Sequence, residues 1–177
     1  MSPATSSALQ HAFGSAAPFA VVIEEEAMLL DPETFDLSSR VDSVLAGAGA
    51  DIEKHLAPEL MQSSIGVATP LCASAADLAR ELSRIRGGLA AVAAERDLRL
   101  GVAGTHPFSL FEGQRITARD RYRSLVEQLQ YVARRELVFG LHVHVALPDP
   151  DLVIAVADGL AVEVRGLLAL SAASPFW

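Results

Sequence analysis

The stretch Phe19-Ala20-Val21-Val22-Ile23-Glu24-Glu25-Glu26-Ala27-Met28-Leu29-Leu30 decides how this chain folds. It is densely apolar, and Asp31-Pro32-Glu33-Thr34 closes it as a turn, so it reads as a β-strand. Side chains alternate across a strand. Glu24 and Glu26 therefore share one face, roughly 7 Å apart, and Glu25 points to the other. A carboxylate taken out of water needs a cation or hydrogen-bond donors to meet it. Two on one face also repel each other unless positive charge sits between or above them. A hard divalent ion such as Mg²⁺ or Mn²⁺ meets that need; solvated charges on an exposed edge strand are the alternative.

Working outward, Met61 to Thr69 is a second strand, stopped by Pro70. Ser74 opens a helix, with Asp77 at capping-box spacing and Leu78, Leu82, Ile85, Leu89 and Val92 forming one apolar stripe. Gly87-Gly88 weakens the middle of that helix by about 1 kcal/mol per glycine. Leu98 to Gly104 is a third strand, leading into the loop Thr105-His106-Pro107. Asp120 to Arg135 is a single helix with Tyr122, Leu125, Val126, Leu129 and Val132 on its apolar side. Glu136 to Leu147 is a fourth strand. Asp149 caps a last helix, with Pro150 in its first turn, which runs to Ala172 and is ended by Ser174-Pro175. Residues 38 to 58 carry no clear pattern.

Strands alternating with helices also suit a parallel α/β sheet. Carboxylates and imidazoles inside the strands favour instead a sheet with one packed face and one wet face, which antiparallel sheets tolerate better. The expected class is α+β: a mainly antiparallel sheet with helices packed on one face. Residues 1–18, rich in Ser and Ala, read as a flexible lead-in without the basic and apolar regions of a secretory signal. Residues 19–177 form the folded part.

His142 and His144 alternate with Leu141, Val143 and Val145, so both imidazoles share a face. Two surface histidines satisfy that pattern, as does a metal site, although a zinc site lacks a third nitrogen or sulfur ligand at suggestive spacing. Cys72, the single cysteine, forms no intrachain disulfide and reads as a small core side chain. A net charge of −8 argues against a nucleic acid partner. The absence of a long uncharged apolar run argues against a membrane span and fits a cytoplasmic protein. Phosphate-binding glycine loops and a Gly-x-Ser-x-Gly elbow are absent.

Taken in order, six segments resemble the YbdK-type carboxylate–amine ligases of the glutamate–cysteine ligase type 2 family. They are Ile23-Glu24-Glu25-Glu26, Val67-Ala68-Thr69-Pro70-Leu71-Cys72, Ala103-Gly104-Thr105-His106-Pro107-Phe108, Arg121-Tyr122, Phe139-Gly140-Leu141-His142-Val143-His144-Val145 and Leu170-Ser171-Ala172-Ala173-Ser174-Pro175-Phe176-Trp177. The resemblance implies a glutamine synthetase-like fold, an antiparallel sheet curled into a funnel with metal ions on its inner face. It implies a reaction in which ATP phosphorylates the side-chain carboxylate of glutamate and an amine, cysteine in the named activity, displaces phosphate. It carries Mg²⁺ or Mn²⁺ as cofactor and ATP as co-substrate. Glu24 and Glu26 match the family's metal-binding acidic pair, Glu59 falls near a further acidic ligand, and His142 matches the active-site strand histidine, so the implied metal ligands are Glu24, Glu26, Glu59 and His142. His144 and His106 match positions on the substrate side, so the implied catalytic set is His142, His144 and His106.

Three positions depart from the family pattern. Gly66 stands where a metal-binding glutamate is usual, and Val22 and Ala146 replace glycines. Family members are also about twice this length. The expectation is therefore an amino-terminal half with an incomplete site and an exposed sheet edge, completed by a homodimer partner or a second-half chain. A non-catalytic remnant of the same fold is the competing expectation.

Overall fold

The computed structural model describes residues 14–174, so the expected lead-in lies outside the described residues up to position 13, and so does the motif's end, Pro175 to Trp177. The elements run β1 (Val21–Leu30), α1 (Val41–Ala46), β2 (Leu56–Pro58), β3 (Ser64–Ala68), α2 (Ala75–Ala94), β4 (Arg99–Gly101), α3 (Asp120–Leu129), α4 (Tyr131–Arg135), β5 (Leu141–Val145) and α5 (Leu152–Leu170). The class is α+β: every strand pairing is antiparallel.

β1 organises the sheet because it is long enough to serve three partners. On one edge Glu24 to Met28 pair with β3. On the other, Val21 to Glu25 pair with β5 and Met28 to Leu30 with β4. β2 extends the sheet beyond β3. The two faces of β1 differ as alternation requires. Ala27 and Leu29 lie in a core with Ile65 and Val67 of β3, Val41 and Val44 of α1, and Leu82, Ile85 and Leu89 of α2. The apolar stripe expected on α2 is buried along its whole length. Burying such a side chain contributes about 1.5–3 kcal/mol. Ser74 caps α2, its Oγ accepting the Asp77 N–H at 3.1 Å.

Glu25 also faces this core and is 2% exposed. It is neutralised from α2, where the Arg86 guanidinium donates to both carboxylate oxygens, Nε at 2.6 Å from Oε2.

Several expected elements differ. The predicted helix over 120–135 is two helices, broken at Gln130, which takes φ +47°. Tyr122 and Val126 are buried as expected, whereas Leu125, Leu129 and Val132 are exposed. The strand predicted over 136–147 shrinks to β5 because residues 136–140 turn to meet Glu26 and the Thr105 loop, Phe139 N–H donating to Gly104 O. The strands predicted over 61–69 and 98–104 shorten to β3 and β4. Asp149 does not cap α5. Its Oδ1 accepts the Asp151 N–H, and the helix starts at Leu152 and ends at Leu170, short of Ala172. The unassigned stretch 38–58 holds α1, a 3-10 turn at Glu53–His55 and β2.

All five residues of β5 are exposed, none of the residues of α5 is buried, and no described strand pairs with the far edge of β5. Among the described residues, no helix is long and apolar enough to cross a membrane.

Candidate active site

The face of the sheet opposite α2 carries Glu24 and Glu26 from β1, Gly66 and Ala68 from β3, and His142 and His144 from β5. Register brings them together. Glu26 lies directly opposite Gly66, and Glu24 is flanked by Ala68 on one side and His142 on the other. A groove of about 390 Å³ opens here, with Glu59 reaching in from the loop after β2. Glu24, Glu26, Glu59 and His142 therefore line one groove, as the alternation argument requires.

Each carboxylate has its own environment. Glu26 is half-buried; its Oε2 accepts the Gly140 N–H at 3.0 Å, and its own N–H donates to Gly140 O. That exchange locks the chain entering β5 onto the site. Glu24 is exposed and faces imidazoles, with His144 Nε2 at 3.3 Å and His142 Nδ1 at 3.9 Å from its Oε2. These three side chains offer one oxygen and two nitrogens within 4.8 Å of one another. Glu59 is pushed above the usual carboxylate range, first by burial and then by the charge of Glu26; Arg121 and Tyr122 oppose the shift. The Tyr122 hydroxyl donates to Pro58 O at 2.8 Å and lies 3.4 Å from Glu59 Oε2. The Arg121 guanidinium stacks on the Tyr122 ring, 4.3 Å from its centroid.

Below the groove, Glu26 and Glu59 also line a smaller cavity of about 100 Å³. Ser64, 4% exposed, lines it too, and its Oγ has no hydrogen-bond partner among the described residues. Glu24, Glu26 and Glu59 in the groove, with the unpartnered Ser64 hydroxyl beside the last two in the inner cavity, are a hard-oxygen donor set. The residues present thus fit a divalent cation of the magnesium type by chemistry.

His106 lies elsewhere. Its Nδ1 accepts the Ser109 N–H at 3.0 Å, which leaves Nε2–H to donate to Phe35 O at 2.9 Å. Nδ1 thus closes the loop on itself while Nε2 fastens it to the turn after β1, and His106 does not line the groove. His144 reaches Glu24 from outside that lining.

Sequence reasoning missed Lys54 and His55, both of which line the groove, and noted Arg121 only as part of a motif. His55 is held by Ala68 O, 3.0 Å from Nδ1, with Arg84 3.4 Å from Nε2. The available signal was basic residues placed five and four positions before the loop acid Glu59.

Residues 21–177, which include every groove residue, match the profile of glutamate-cysteine ligase family 2 (GCS2). The chain belongs to this family. GCS2 relatives include proteins provisionally named glutamate–cysteine ligase 2. One from Herpetosiphon aurantiacus is 39% identical over 160 residues, 90% of this chain and 42% of its own length. One from Sorangium cellulosum is 42% identical over 161 residues, covering 90% and 43%. A third from Rubrobacter xylanophilus, named 2-3, is 42% identical over 166 residues, covering 93% and 46%. This GCS2 chain thus spans less than half the length of the relatives it matches.

Proposed function

We propose that this chain carries the amino-terminal portion of an ATP-dependent carboxylate–amine ligase, with Mg²⁺ or Mn²⁺ as cofactor. The observation that carries the reading is the gathering of Glu24, Glu26 and Glu59 into one groove with Lys54 and Arg121 beside them.

In the proposed reaction, an oxygen of the glutamate side-chain carboxylate attacks the terminal phosphorus of ATP and ADP leaves. The amine nitrogen, of cysteine or another amine, then attacks the acyl carbon. Phosphate departs and the nitrogen loses a proton. A divalent cation supplies charge neutralisation for the phosphates. Glu24, Glu26 and Glu59 are its ligands in this reading, with His142 on the same side. Lys54 and Arg121 attract the phosphate oxygens. His144 orients Glu24 and stands as the candidate to take up the amine proton. His106, with both nitrogens engaged by backbone, positions its loop.

The isolated chain turns over weakly or not at all in this reading, because among the described residues nothing covers the outer face of β5 or buries α5. The region that the relatives have beyond the match completes the site, as a continuation or as a second chain. A homodimer is the other way to cover the same surfaces. A lone buried cysteine is in keeping with a cytoplasmic setting. The competing reading, a non-catalytic remnant, is favoured by the same open surfaces.

The test is ADP release from ATP, glutamate, cysteine and Mg²⁺. Activity is expected only when a second-half polypeptide is supplied, and it should be lost in Glu26→Gln. Strong Glu26-dependent turnover by this chain alone would refute the incompleteness. No turnover in any combination would favour the remnant.

A further inference from the structure

Gly66 stands opposite Glu26 in the β1–β3 ladder and opposite Ala57 in the β2–β3 ladder, on the groove face. A Cβ added there would meet Glu59 Oε1 closer than real Cβ contacts come. The next atoms, Glu59 Cδ at 3.4 Å and Ala57 O at 3.5 Å, would be in ordinary contact. The Glu59 carboxylate thus fills the volume that a side chain at position 66 would occupy. Backbone does not crowd that volume, so only the end of one flexible side chain would have to move. Beside it, the buried Ser64 hydroxyl lines the inner cavity with Glu26 and Glu59 and has no described partner. An orphaned buried hydroxyl there is an independent sign that the compartment is built to receive a polar ligand.

We propose that Gly66 is a positioning residue, and that its missing side chain lets the Glu59 carboxylate reach the place opposite Glu26, where it completes the oxygen set for the divalent cation. This assignment rests on the cation reading proposed above. Tyr122, fastened to Pro58 O, fixes the point from which Glu59 reaches inward.

The test uses the full chain with Mn²⁺ as the probe, affinity being read by electron paramagnetic resonance and melting temperature in parallel. Gly66→Ala is expected to weaken Mn²⁺ binding about 10–100-fold, the usual effect of disturbing what orients a ligand. Its metal-free melting temperature should stay within about 2 °C of the parent. A crystal structure of that variant should show the Glu59 carboxylate turned away from Glu26. Glu59→Asp shortens the arm without adding bulk; it should weaken binding to a similar degree, and it decides the matter if Gly66→Ala folds poorly. Gly66→Ala combined with Glu59→Gln should bind no more weakly than Glu59→Gln alone. Unchanged affinity in Gly66→Ala, or a carboxylate that stays in place, overturns the assignment. Absence of Mn²⁺ binding by the parent chain, or binding indifferent to Glu24→Gln and Glu26→Gln, overturns the cation reading and this assignment with it. The parent measurement therefore separates the two failures.

Discussion

Glu25 and its two neighbours have the same side chain and opposite fates. Glu24 and Glu26 face the groove, whereas Glu25 is enclosed by the core and paired with Arg86. Removing the partner of a buried charge costs more than the pair itself contributes, because the remaining charge has no compensation. Arg86→Met should therefore lose about 2–3 kcal/mol in urea unfolding at neutral pH, the smaller end reflecting the half-exposed arginine. Adding Glu25→Leu should restore most of it. Glu59 behaves in the opposite sense. Its carboxyl is raised by burial and by Glu26, so the folded state holds the proton more tightly than the unfolded state does. The cost is present above the folded value, where Glu59 is ionised, and vanishes below the ordinary glutamate range, where both states are protonated. In EDTA, Glu59→Gln should be more stable than the parent at about pH 8 by no more than about 1 kcal/mol, given solvent screening. The difference should disappear near about pH 4, as followed by urea midpoints.

Helix α2 shows how much of an element is legible and where legibility stops. Its cap, stripe and length could be read from Ser74, Asp77 and the leucine spacing. The role of Gly88 could not, because a propensity scale treats both glycines alike. Gly88 lies where a Cβ would press on Ile52 Cγ2 at 2.9 Å, while Gly87 has open space around it. Gly87→Ala should stabilise the protein by up to about 1 kcal/mol. Gly88→Ala should destabilise it by about 1–2 kcal/mol through overpacking against buried Ile52. Thermal unfolding of the two variants separates helix propensity from packing. The same limit explains the helix break. Gln130 adopts a left-handed φ that nothing in its local sequence signals, since the apolar spacing continues straight through it. The shared face of Glu24, Glu26 and His142 was legible because period two is a property of any strand. The arrival of Lys54 and His55 depends on a 3-10 turn in a stretch without periodicity. The confinement of His106 depends on contacts with Phe35 and Ser109.

At the scale of the molecule, the apolar surface is divided unequally. One face of the sheet is sealed by α1 and α2, while Leu141, Val143 and Val145 of β5 and residues such as Ile154, Val162 and Leu168 of α5 are exposed. Apolar surface of this extent beside an open strand edge favours association. The purified chain should show concentration-dependent oligomers in light scattering and bind a hydrophobic dye. Val143→Lys should reduce both without lowering the melting temperature, because Val143 is 57% exposed.

Strand β1 pairs with three others, and the last of them comes late in the chain. During synthesis, β1, β3, α2 and β4 can assemble while the edge beside Glu24 still faces water. Only when residues 141–145 leave the ribosome does that edge close and His142 arrive. Such distant pairing is slow to form. The groove is therefore closed only after the core, and a chain stalled before β5 would possess a sound core with an open site.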